Sequence, residues 1–235
     1  QACSELITGF HSLPADKNEL FFGNTQQEAV EALTEYYSTT LTEQLPLIGK
    51  DIVRYVPVDD KARAAQYMFL ASNSKAYTDR DDFKGEGDFS YYAQAHQSNH
   101  TRLKLALEKL QASDLLLVDP KTGYVVYSVM KNIDLGTNLF EGHFRDTPLA
   151  TSFLTAMAEK KPVYSMTGFT PYIPAGNLPV SFISLPVYQG SIPAGVLVLC
   201  IDHTQLNSLF YGEARVVAST SLEYNLIDRE LNLLN

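Results

Sequence analysis

The stretch "YVVYSVMKNIDLGTNL", residues 124–139, decides how the rest of the chain is read. It opens with a short apolar run, Val125, Val126, Tyr127 and Val129. A run of that length, rich in β-branched and aromatic residues, reads as a buried strand. Then the character changes. Lys131, Asp134, Thr137 and Asn138 follow, four groups that can bond a small polar molecule. Just upstream, "DPKTG" (119–123) is a turn, with Pro at the preset angle and Gly at the left-handed position. "DLLLVD" (114–119) before it is a second short strand. Residues 114–130 therefore predict an antiparallel hairpin that ends in a polar segment.

Downstream, Thr147 followed by Pro148 marks a helix start that runs to about Lys160. Three strands are predicted after it, at 162–172, 179–188 and 194–202, with Gly190 and Pro193 in the last turn. Upstream, apolar residues recur at helical steps from Val30 through Leu33, Tyr37, Leu41, Leu45 and Ile48 to Ile52. A helix over 25–56 would be about 45 Å long at about 1.5 Å per residue. Pro46 should bend it, Pro57 ends it, and part of its stripe should need a partner, which makes a homodimer along this helix an expectation. A second helix starts at Asp59 or Asp60, residues 72–89 read as a loop, and a third helix spans about 90–111. Cys3 falls in a loose N-terminus.

Hairpins dominate the C-terminal half and no strand–helix–strand series recurs. The fold class predicted is α+β: long N-terminal helices, then a mainly antiparallel five-stranded sheet flanked by helices. The organisation read is a helical segment over 1–112, a sheet domain over 113–212 with a short helix at 203–212, and the possible start of a further module at 213–235.

Composition narrows the partners. Formal net charge is -9, which argues against nucleic acid and anionic lipid, both of which need a basic footprint. No apolar run approaches the roughly 20 residues of a membrane span. The two cysteines, Cys3 and Cys200, are expected to be free. Gln1 is not an initiator methionine, so the chain reads as a mature or excised soluble piece, with anchors outside it left open.

Enzyme signatures are thin. There is no P-loop, no dinucleotide glycine fingerprint and no Gly-x-Ser-x-Gly elbow. His96 and His100 share a helix face at metal-ligand spacing, but no third ligand converges on them, so neither a metal nor a cofactor is expected. Binding residues are expected instead. Tyr127 offers a hydroxyl beside apolar walls, Lys131 a charge, and Asp134 and Thr137 polar atoms, with Gly136 allowing close approach. Tyr172, Ser181, Ser184 and Asp202 are added from the later strands, where small hydroxyls among large apolar groups leave room for a ligand. The plain alternative is that Asp134 and Thr137 cap a turn and Lys131 is solvated.

From about Ala64 to Leu206 the chain resembles the extracytoplasmic Cache (PAS-like) sensor domains of bacterial transmembrane receptors, especially methyl-accepting chemotaxis proteins. The resemblance rests on "YMFLASN" (67–73), on Tyr92, His96 and His100, and on "SDLLLVDPKTGYVVYSVMKNIDLGTNL". It continues through "FTPYIPAGNLPVSFISLPVY" and "AGVLVLCID". It implies a periplasmic module between two membrane helices, a PAS-like sheet with one ligand-binding face, and signalling rather than catalysis. The output could equally be a histidine kinase or a cyclic-nucleotide enzyme. The chain departs from the family's common amino-acid-binding mode. It has no Trp, "YSMTG" near Tyr164 lacks the usual acid, and Cys200 stands where many relatives place Asp or Gln. A rival reading from the residues alone is an adaptor whose sheet binds protein.

Overall fold

A computed structural model describes residues 1–13, 26–158 and 163–202. The hairpin of the opening stretch is present. β1 (Asp114–Val118) pairs antiparallel with β2 (Val125–Ser128), Leu117 opposite Tyr127. β1 also pairs antiparallel with β6 (Ile192–Asp202), and β6 with β5 (Leu178–Gln189). Two short strands complete the sheet, β3 (Ser165–Met166) and β4 (Thr170–Tyr172), both against β5. The order is β2-β1-β6-β5-β3, with β4 also on β5. The α+β class and the antiparallel sheet are as the sequence predicts. The single strand expected at 162–172 is interrupted around Gly168, so the described sheet has six strands rather than five.

Register assigns the faces. Asp114, Cys200 and Phe182 align across the strands, as do Leu116, Val198 and Ser184, so these residues share one face. Leu115, Leu117, Tyr127 and Leu199 lie on the other. All five residues of β1 are buried, which matches a strand covered on both sides.

The helices depart more from the sequence reading. α1 (Ala2–His11) is ordered, with Leu6, Gly9 and Phe10 buried, where the sequence suggested a loose end. Its Gly9 meets α5 (Tyr91–Leu110) so closely that a Cβ there would lie 2.9 Å from the Cα of Tyr92. A residue that weakens a helix by propensity is here the one that lets two helices touch. Cys3 packs beside Gly195 of β6, and both cysteines are free.

The helix expected over 25–56 is not continuous. α2 (Gln26–Tyr36) passes through a π turn (Tyr37–Leu41) into α3 (Thr42–Gln44), and Leu45 leaves helical geometry at φ -120 and ψ 63. Pro46 is the cause, because the residue before proline is pushed out of the α region. The continuous piece spans roughly 28 Å at about 1.5 Å per residue, and a 3₁₀ stretch (Gly49–Tyr55) follows. Leu33, Tyr37, Leu41, Leu45 and Ile52 of the apolar stripe are buried in the chain's own core, while Val30 and Ile48 are partly buried.

α4 (Asp60–Gln66) starts as read, with Asp59 Oδ1 accepting from the Ala62 N–H at 2.9 Å. α5 is capped by Ser90 and closed by Gln111 in the left-handed region. α6 (Pro148–Ala158) lies against β5, its Ser152 hydroxyl donating to Ser184 Oγ at 2.8 Å. One hydrophobic core runs from Leu6 through Tyr92 and Val126 to Cys200, joining helices and sheet. The helix read at 203–212 and the module read at 213–235 lie outside the described residues. Among the described residues no helix is long and apolar enough to cross a membrane.

Candidate functional site

The polar segment after β2 does not build one site. It sends groups to three places, on opposite sides of the sheet and at its margin.

The first is the seam under α5. Tyr127 is fully buried, its hydroxyl 2.7 Å from His100 Nδ1. His100 Nε2 faces the carbonyl of Asp81. A carbonyl only accepts, so Nε2 carries the proton, and Nδ1 accepts from Tyr127. His96 stacks between Phe69 (4.2 Å between ring centres) and His100 (4.7 Å), with no hydrogen-bond partner on either nitrogen. Burial, then the nearby Lys131 charge, pushes His100 down to about 4 and His96 well below the usual histidine value. Lys131 adopts φ 55 and is only 1% exposed. Its Nζ donates to the carbonyls of Val129 (3.1 Å) and Asp81 (3.3 Å). Burial pushes it down to about 7, against the pull of Asp114 and Asp81. Lys131 is thus neither solvated nor presented to a ligand, and its backbone N–H donates to Ser128 Oγ at 2.7 Å.

The second place is the opposite face of the sheet. Asp114 Oδ2 accepts from Ser128 Oγ at 2.8 Å, and Oδ1 from the N–H groups of Leu115 and Met130. Asp134 accepts from the Tyr172 hydroxyl at 2.9 Å. Its other oxygen, Oδ1, has no partner. Burial raises the pKa of both carboxyls, and the charge of Asp114 adds to the rise at Asp134. The Tyr172 hydroxyl, and after it the backbone N–H groups of Asp134 and Leu135, favour the Asp134 anion against that rise. Tyr172 is pushed well above the usual tyrosine value by burial and then by Asp134. Gln66 straps the segment from the helical side, donating to the carbonyls of Ile133 (2.8 Å) and Leu135 (2.9 Å) and accepting from Tyr37 at 2.7 Å.

The third place is a cleft of about 610 Å³, and here Thr137 and Asn138 lie. One wall is the entry to α4 (Tyr55, Pro57, Asp59, Ala62, Gln66), and the other is the 138–146 loop. Tyr55 and Phe144 stack nearly parallel, 5.5 Å between ring centres, and His143 meets Tyr55 edge-on. The Tyr124 hydroxyl donates to Asp59 Oδ2 at 2.9 Å. Thr137 is 8% exposed, and its hydroxyl makes no hydrogen bond to any described residue. Gly142 lies beside that hydroxyl: a Cβ there would fall 2.8 Å from Thr137 Oγ1 and 2.5 Å from the Asn138 carbonyl. The cleft and the buried carboxyls are neighbours. Ile133 and Gln66 line the cleft and flank Asp134, and Phe144 lies 6.0 Å from the Tyr172 ring.

Three expected residues serve otherwise. Ser181 donates to the Thr167 carbonyl at 2.7 Å. Ser184 is tied to α6 through Ser152. Asp202 sits half-buried at the end of β6, opposite Val180. The strand hydroxyls that suggested room for a ligand are therefore filled by backbone and helix. The sequence reading missed Asp114, Gln66, Tyr55 and Phe144. Asp114 carried a signal, an acid opening an otherwise apolar strand; the others are joined only by the fold. Among the described residues no group of three His, Cys, Asp or Glu is placed to hold a metal ion. No protein-family model, curated protein or solved structure matches the chain.

Proposed function

We propose that this chain is the small-molecule-binding sensor module of a bacterial transmembrane receptor, displayed outside the cytoplasm, with a chemoreceptor as the first assignment and a histidine kinase or cyclic-nucleotide enzyme as the second. Two supports carry the reading. One is the ordered resemblance of residues 64–206 to Cache domains. The other, decisive in physical terms, is the cleft at Thr137: a concavity of about 610 Å³, inside the range of small-molecule sites, with aromatic and carboxylate side chains on its walls and the Thr137 hydroxyl on its floor. A ligand seated there can bond that hydroxyl and cover the apolar part of the walls.

The cleft has a wall from each half of the molecule, so binding is coupled to how the N-terminal helical layer sits on the sheet. A ligand shifts such an equilibrium only by its differential affinity for two arrangements. Full switching needs about a 10⁴-fold preference. The reading is binding rather than turnover.

A thermal-shift screen against small acids, amines, sugars and purines tests this. At least one class should raise the melting temperature, and Tyr55→Ala should abolish the rise. A wild-type protein indifferent to all four, or a hit that survives loss of the Tyr55 wall, would remove the cleft from the account.

A further inference from the structure

We infer that the cleft selects a small organic cation, a protonated amine carried on a flat or apolar body. The inference rests on the cleft being the ligand site and adds the charge class.

The lining is the argument. Three carboxylates, Asp59, Glu141 and Asp146, border the cleft against one guanidinium, Arg145. Arg145 is already paired with Asp146 at 3.1 Å. Asp59 and Glu141 are left as the net charge of the rim. Among the described lining residues, carboxylates outnumber cations, so an anion entering meets net repulsion. Lys131, the charge the sequence offered to a ligand, is fastened to two backbone carbonyls in the seam under α5 and does not line the cleft.

The aromatic content points the same way. Tyr55, Tyr124 and Phe144 line the cleft, and aromatic faces attract an ammonium through the ring quadrupole. Arg54, at 5.1 Å from the ring centre, and the stacked Phe144 already take the faces of Tyr55, so Tyr55 meets a ligand by its edge and hydroxyl. At the floor, the Thr137 hydroxyl has free lone pairs for an ammonium N–H. Gly142 keeps it open, since any side chain there would cover it. The charge of the rim, the faces of the walls and the acceptor at the floor all favour the same ligand chemistry.

Isothermal calorimetry on the whole chain at low salt and neutral pH, with three probes sharing one ring, tests the inference. The probes are phenethylamine, 2-phenylethanol and phenylacetate. Phenethylamine should bind at least about tenfold more tightly than either other probe, a difference of about 1.4 kcal/mol. Added salt should weaken its binding, as expected for an ion attracted to a partly exposed rim. Glu141→Gln, at an exposed position, and the near-isosteric Thr137→Val should each weaken phenethylamine severalfold while circular dichroism and melting stay close to wild type. Lys131→Met should leave binding unchanged. Equal or tighter binding of phenylacetate or 2-phenylethanol, abolished by Tyr55→Ala, would overturn the charge class and keep the cleft as the site. Absence of binding by all three probes into the millimolar range would overturn the amine inference, and the cleft itself would stand or fall by the thermal-shift screen.

Discussion

The seam under α5 and the cleft at Thr137 are built from the same sixteen-residue stretch, yet they treat their polar atoms in opposite ways. In the seam, Tyr127, His100 and Lys131 are buried and each is partnered, by one another or by the carbonyls of Asp81 and Val129. His96, which lacks partners, is held by ring stacking. Behind the cleft, Asp134 Oδ1 is left without a donor, and the Thr137 hydroxyl lines the cleft itself. Residue type does not separate these regions, since tyrosine, lysine, aspartate and threonine all suit a binding site. Access does. The seam is closed under α5, where its rings and hydrogen bonds lock the fold, whereas Thr137 lines a concavity where something else fits.

The contrast breaks most visibly if the seam proves dispensable. Phe69→Ala removes a fully buried ring stacked on His96 and should cost about 3–5 kcal/mol in chemical denaturation. A loss under about 1 kcal/mol would mean the seam is not a structural lock. Next in size, Tyr127→Phe leaves His100 Nδ1 without its donor and should cost about 1–3 kcal/mol. It should leave phenethylamine binding intact, and a variant that keeps its stability but loses ligand would place Tyr127 in the site after all.

Two pH series sharpen the comparison. Lys131 sits at about 7 when folded against 10.5 as a free side chain. Between those values the unfolded chain holds a proton the folded chain has lost, so stability rises with pH across that window, by at most about 1.4 kcal/mol per pH unit. Lys131→Met should flatten that rise and be the more stable protein near neutrality. An unchanged slope would mean the lysine is solvated. Asp134 has the opposite sign. Its folded pKa is raised above 3.8, so its contribution is fully present below that value and lost as pH climbs through the folded pKa. His96 and His100, both lowered, act against it, destabilising the fold as pH falls below 6.5. The difference between Asp134→Asn and wild type isolates the carboxyl. The asparagine should gain relative to wild type as pH rises from about 4 to neutrality, by about 1 kcal/mol or more.

Much of the fold was legible because local chemistry and tertiary structure agree. Asp59 caps a helix, Ser90 another, and Pro120 with Gly123 turns the β1–β2 hairpin where the sequence places it. Two elements misled for stated reasons. The N-terminus reads as loose until Gly9 lets it pack on α5, and the periodic stripe from Val30 to Ile52 hides the local veto of Pro46 over Leu45. The site was legible only in part. Periodicity and composition identify that Lys131, Asp134 and Thr137 are polar groups held by a rigid strand, but not which side of the sheet each reaches. That depends on the positive φ of Lys131 and on the Gln66 strap, a contact across 67 residues to Ile133. Tyr55 and Phe144 form their stacked wall across a similar distance, with no pattern in the chain to join them.

Methyl NMR on alanine-, isoleucine- and threonine-labelled protein, titrated with phenethylamine, is the most direct test that the cleft is the receptor and the seam its scaffold. Ala62, Ile133 and Thr137 line the cleft, and Ala93 marks α5 near the seam. The account predicts saturable shifts at Ala62, Ile133 and Thr137 that are absent in Thr137→Val at position 137 and weakened at the other two, with Ala93 unmoved. Saturable shifts centred on Ala93, with the three cleft methyls silent, would contradict it.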